Sequence, residues 1–175
     1  MHVVAGQAEM YNLTVMQDHT YAVGDAQAVV HNECIGDNLQ PRQAGAPTRG
    51  ILDTGAGEPT GLISGREGMD VVNDLPSDAP DIFRQGVIRN HVAAKAAAIM
   101  RTQRLEEATL WINNTPCGGY YGCGNMLPQM LPEGAILHVN IMDASSPTGW
   151  LTSDYIGLPD SAWSPVPWPP GGNVP

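Results

Sequence analysis

The segment that most constrains this chain is His91 to Glu107, HVAAKAAAIMRTQRLEE, which is rich in Ala, Met, Leu, Lys, Arg and Glu and contains no Gly or Pro. Such residues lose little side-chain freedom in a helix, and none of them breaks one. A helix is therefore predicted here, with Val92, Ala96, Ile99 and Met100 at helical spacing and facing a core. The stretch C-terminal to this helix carries equally clear signals. ATLWINN (108–114) reads as a buried strand, CGNMLPQML (123–131) as a short helix interrupted by Pro128, and ILHVNIMD (136–143) as a second buried strand. Ahead of the helix, GILDT (50–54) and PTGLIS (59–64) are short apolar runs that read as a hairpin. Hairpin, helix, strand, helix, strand predicts an α/β fold on a three-layer plan.

The 175 residues suffice for one ordinary domain with flanking pieces. Gly and Pro together are a fifth of the chain, and they are unevenly placed. Residues 34–49, CIGDNLQPRQAGAPTR, show no periodicity and read as a linker. Residues 161–175, SAWSPVPWPPGGNVP, hold five prolines and are expected to be disordered or extended as polyproline II. The folded domain is thus expected over 50–160. No apolar run approaches the roughly 18–20 residues of a membrane span, and MHVVAGQAEM does not read as a signal peptide.

A net charge of −10 argues against indiscriminate binding to a phosphate backbone. The distribution is less uniform than the total. Arg84, Arg89, Lys95, Arg101 and Arg104 fall in a window free of Asp and Glu, which carries +5 and leaves −15 for the rest. Either a small basic face meets nucleic acid there, or a helix presents a solvated charged face.

Three cysteines, Cys34, Cys117 and Cys123, cannot all pair within the chain, and Cys34 is expected to be a free thiol. His91 opens the long helix, Cys117 comes after the strand and Cys123 opens the next helix. Three N/S ligands with a fourth position open is the arrangement with which a catalytic zinc holds and acidifies a water. A helix N-terminus favours thiolate over thiol, and Gly118, Gly119, Gly122 and Gly124 let the backbone wrap an ion. A core histidine with two apolar thiols would give the same three letters.

Zinc nucleobase deaminases carry H-x-E at one helix start and P-C-x-x-C at the next, with a strand between. Here the corresponding elements are His91-Val92-Ala93 and Pro116-Cys117 to Cys123. NHVAAKAAAIMR and then WINNTPCGGYYGCGNMLPQMLPEGAILHV resemble the bacterial DNA cytosine deaminase toxins of the DddA type, over about residues 50–157. The resemblance implies a cytidine-deaminase-like fold, with a mixed central sheet and helices carrying the zinc ligands His91, Cys117 and Cys123. It implies conversion of cytosine to uracil in DNA by zinc-activated water. Asn113 and Asn114 would then contact base or sugar, Tyr120 and Tyr121 would stack on a base, and Arg84, Arg89, Lys95, Arg101 and Arg104 would be the phosphate contacts. Strand-end turns and a loop packed by its own rings are the plainer readings of Asn113, Asn114, Tyr120 and Tyr121.

Two features depart from the family pattern. Five residues separate the cysteines instead of two, so Cys117 is expected on a loop before the helix. Ala93 stands where the family places the glutamate that shuttles protons between water and base. Loss of such a group costs on the order of 10² to 10⁴ in rate, so the chain is expected to be nearly inactive, as a disabled toxin or a natural pseudoenzyme. A zinc-stabilised nucleic-acid-binding module and a deaminase acting on RNA or adenine stay open.

Upstream, YNLTVMQDHTYAVGDAQAVVHN (11–32) alternates apolar and polar residues around Gly24-Asp25 and reads as short strands. It resembles the C-terminal end of Hint (intein-like) domains that precede toxins in bacterial polymorphic toxins. The resemblance gives Asn32, His31 and His19 the self-cleavage roles. With no room in the chain for the N-terminal nucleophile of a complete Hint domain, 1–33 is expected to be an inert remnant. Together the two resemblances imply an effector secreted or injected into a target-cell cytoplasm, and an immunity protein in the producer.

Overall fold

The computed structural model describes residues 20–23, 28–31, 35–77, 79–84, 87–119 and 121–159. The expectations for His19, Asn32, Cys34, Tyr120 and 161–175 lie outside these residues. Strands β1 (Thr20–Val23) and β2 (Ala28–His31) pair antiparallel as a hairpin within the segment read as short strands.

The domain is built on a five-stranded sheet of β3 (Arg49–Asp53), β4 (Thr60–Ile63), β5 (Glu107–Ile112), β6 (Ile136–Met142) and β7 (Trp150–Ile156). Its order is β4-β3-β5-β6-β7. Only β5 and β6 run parallel, in the register Leu110 with Val139, and every other pairing is antiparallel. The sheet is therefore mixed, as expected of this α/β fold. A parallel pair needs a crossover, and α3 (Cys123–Met130) supplies it between β5 and β6. The short α1 (Asp70–Asn73) and the long α2 (Val92–Gln103) lie between β4 and β5.

Alternation along the strands sends Leu52, Leu110, Ile112, Leu137 and Val139 to one face, all buried in a single core with α2 and α3. The prediction of one apolar stripe on α2 understates its burial, since every residue from Val92 to Met100 is buried. Alanines make this possible: with almost no side chain to accommodate, neighbouring elements close around the whole helix. Its end also differs from the prediction. The helix stops at Gln103 with Arg104 in the left-handed region (φ 55°), and Glu107 already begins β5.

Composition misleads over 34–49. Residues 35–38 form a 3₁₀ turn, Leu39 is buried, and the segment runs across the sheet face opposite α2 into β3. A Cβ at Gly36 would lie 2.6 Å from ring atoms of both Trp111 and Trp150, so only glycine permits this approach. Those two indoles meet edge to face at 5.0 Å between centroids. The Nε1 of Trp111 is buried without a partner among the described residues. Also among these residues, no helix is long and apolar enough to cross a membrane.

Candidate metal centre

His91 occupies the N-cap position of α2 in extended conformation (φ −82°, ψ 151°), where the chain turns from a 3₁₀ segment at Val87–Asn90 into the helix. Its backbone N–H donates to Ile88 O (2.8 Å) and its carbonyl accepts from Lys95 (3.1 Å), so the residue is held from both sides. Cys117 comes directly after Pro116 in the loop beyond β5, and Cys123 is the first residue of α3. Tertiary folding brings the three together. Nδ1 of His91 lies 3.2 Å from Cys123 Sγ and 3.4 Å from Cys117 Sγ, and all three ligand atoms fall within 4.8 Å of one another.

This donor set fits a four-coordinate zinc. Bonds of about 2.3 Å to sulfur and 2.0–2.1 Å to nitrogen place tetrahedral ligand atoms roughly 3.5 Å apart. The electrostatics agree. Burial lowers the His91 pKa, favouring the neutral imidazole that ligates a metal. Burial and the neighbouring Cys117 push the Cys123 thiol far up, so a thiolate there requires a cation beside it. Tyr155 reaches the same neighbourhood from β7, and burial together with Cys123 raises its phenol.

The five residues between the cysteines are absorbed by a tight loop. Gly122 N–H donates to Gly119 O (2.9 Å), Gly124 N–H to Cys117 O (3.2 Å), and Cys123 N–H to Cys117 Sγ (3.1 Å). A Cβ at Gly122 would collide with the carbonyls of Cys117 and Gly118. The loop thus folds Cys117 back over the first turn of α3.

The three side chains open into a cavity of about 280 Å³, a small volume for a ligand site. Ala93, on the first turn of α2, is buried and forms part of the wall. Thr48, Ser64 and Asn114 add hydroxyl and amide groups to that wall.

The other residues singled out in the sequence are dispersed. Asn114 belongs to the cavity and donates to Thr48 Oγ1 at 3.2 Å, whereas Asn113 is buried and spends its amide on the backbone of Gln40 and Arg49. Tyr121 is exposed on the cysteine loop. The expected phosphate contacts form no common basic face. Lys95 is fully buried, donating to the carbonyls of Ile63 (2.6 Å), Gly65 (3.1 Å) and Glu67, so it ties down the chain after β4 instead of meeting a ligand. Arg101 donates to Met130 O and Leu131 O, Arg84 to Pro76 O, Ser77 O and Asp81, and Arg89 to Asn73. Arg104 caps the far end of α2, roughly 20 Å from His91 along a helix rising 1.5 Å per residue.

A family model for SCP1.201-like deaminases matches residues 25–155, three quarters of the chain and all three ligands. The chain belongs to the SCP1.201-like deaminase family. No curated protein matches it. Hydrolytic deamination is accordingly the general activity of this SCP1.201-like domain, and His91, Cys117 and Cys123 form a group able to hold the metal of such a site. The match also runs through the segment read from composition as a linker, in keeping with its packing on the sheet.

Proposed function

We propose that this chain is the toxin domain of an interbacterial effector whose chemistry converts cytosine to uracil in DNA, and that Ala93 leaves it nearly inactive. The observation that carries the reading is Ala93 itself. It stands two residues after His91 on the cavity wall of an otherwise complete site, where a deaminase needs a proton carrier. When bound, zinc supplies the Lewis acidity that lowers the pKa of a water for attack at the amine-bearing carbon. His91, Cys117 and Cys123 hold that ion, the small cavity admits one extruded base, and Asn114 and Thr48 present polar groups to its edge. A glutamate at position 93 would carry the two protons of the water in turn, the first to the ring nitrogen and the second to the amino group that leaves as ammonia. An enzyme of this kind acts in the cytoplasm of a target cell and requires an immunity protein in its producer.

The test is Ala93→Glu, made by cell-free synthesis, with zinc content and cytosine-to-uracil conversion measured on single- and double-stranded DNA. Both forms are expected to hold one zinc, and the glutamate form to be about 10² to 10⁴ times faster. If both hold zinc and neither converts DNA, the cytosine-DNA reading falls. Conversion of RNA or adenine by the glutamate form would replace it, and inertness on every substrate would leave a nucleic-acid-binding pseudoenzyme.

A further inference from the structure

None of the five basic residues expected at phosphate lines the cavity, but Arg42 does. Among the described residues it is the only Arg or Lys in the wall, and no Asp or Glu accompanies it. Arg42 is solvent-exposed, so it stands where the cavity meets water. Its Nε donates to Ala46 O at 2.9 Å across a turn closed by Ala46 N–H to Gln43 O (3.1 Å). That bond orients the guanidinium plane and leaves both terminal nitrogens unspent, since no carboxylate pairs with Arg42 among the described residues. The loop carrying it is anchored. Leu39 is buried, Asn113 Nδ2 donates to Gln40 O (2.9 Å), and Asn113 Oδ1 accepts Arg49 N–H (2.8 Å). The buried Asn113 therefore acts through the backbone to position Arg42.

A base that enters a 280 Å³ cavity leaves its sugar and phosphate at the rim, because a charged diester is solvated there and would be desolvated inside. An oriented guanidinium presents two parallel N–H donors matching two non-bridging phosphate oxygens. On a chain of net charge −10, general attraction to a polyanion is absent, and such a local contact carries more of the recognition. We propose that Arg42 binds the phosphate of the nucleotide whose base occupies the cavity, so that the site selects phosphate-bearing nucleotides over free nucleosides. The inference rests on the deaminase reading above.

The Ala93 chain suits the test because bound substrate is not consumed. Zinc-loaded protein is titrated with a short single-stranded DNA containing one cytosine, with deoxycytidine monophosphate and with deoxycytidine. The panel is the parent chain, Arg42→Ala and Arg42→Lys, with zinc content checked for each. Arg42→Ala is expected to weaken the oligonucleotide and the monophosphate about ten- to hundredfold. Deoxycytidine binding is expected to change less than about twofold, and the log–log salt slope for DNA to fall by about one. Arg42→Lys recovers the slope but only part of the affinity, since a point charge replaces the fork. Equal affinity and slope in the parent and Arg42→Ala overturns the assignment, as does equal weakening of all three ligands. Arg42-dependent binding of the monophosphate without binding of DNA upholds Arg42 and sinks the DNA reading. Binding of neither phosphate-bearing ligand by zinc-loaded parent sinks both.

Discussion

The two faces of the sheet are covered in different ways. On one, α2 and α3 seal a continuous apolar core in which Leu52, Leu110, Leu127, Leu137 and Val139 have no exposure at all, and the ends of these helices carry His91 and Cys123. On the other, Glu107, His138, Thr152 and Asp154 meet water, and the cover over Trp111 and Trp150 is the 3₁₀ turn at Ile35–Asn38. The first face holds the candidate metal-binding atoms of His91, Cys117 and Cys123 within 4.8 Å of one another, and rigid packing keeps such a group together. The second anchors the loop of Arg42 through a few specific contacts. Both sides contribute to one cavity, whose wall Arg42 shares with His91, Cys117 and Cys123.

Breaking the helix-covered face should cost most. Leu110→Ala leaves a cavity under α2 and is expected to lower unfolding free energy by about 3 kcal/mol in urea melts. Metal linkage sharpens the same side. Zinc at a hundredfold excess over its Kd should stabilise the chain by about 2.7 kcal/mol. Cys123→Ser should abolish that thermal shift, because a hydroxyl does not replace the thiolate as a ligand.

Effects on the other face should be smaller. Gly36→Ala drives a methyl into Trp111 and Trp150 and is expected to cost about 1–2 kcal/mol. It should do so with a change in tryptophan fluorescence and with zinc content unaltered. The smallest effect concerns His138, which bonds Asp154 at 2.7 Å and Glu107 at 3.2 Å across three strands. The Asp154 bond raises its pKa above the ordinary 6.5, Glu107 adds to this, and slight burial opposes it. The stabilisation is then full below about pH 6.5 and disappears as pH rises through the folded value. For so exposed a cluster roughly 0.5 kcal/mol is expected. Urea melts at pH 6 and pH 9 should show that loss in the parent and not in His138→Gln.

Much of the site is legible in local signals. His91 and Cys123 mark helix starts, which composition and periodicity locate well, and ATLWINN marks the strand between them. Arg42 escapes such reasoning because its segment shows neither periodicity nor an apolar run. It is fixed in place by a glycine under two tryptophans and by an asparagine 73 positions beyond Gln40, and no local pattern announces either. The basic window misleads for the opposite reason. Charge density is visible in sequence, but whether a guanidinium meets solvent or a backbone carbonyl depends on which elements pack beside it, as Lys95 and Arg101 show.

The sequence alone determined the α/β order of elements, the candidate metal-binding group of His91, Cys117 and Cys123, and the alanine at position 93, because each is written in residue type and short-range spacing. Tertiary structure decided that Cys117 folds back across five residues onto α3, that Lys95 is buried, and that a supposed linker becomes a wall of the cavity. Those outcomes depend on steric fit and hydrogen-bond satisfaction between segments far apart in the chain, which exist only once the sheet has assembled.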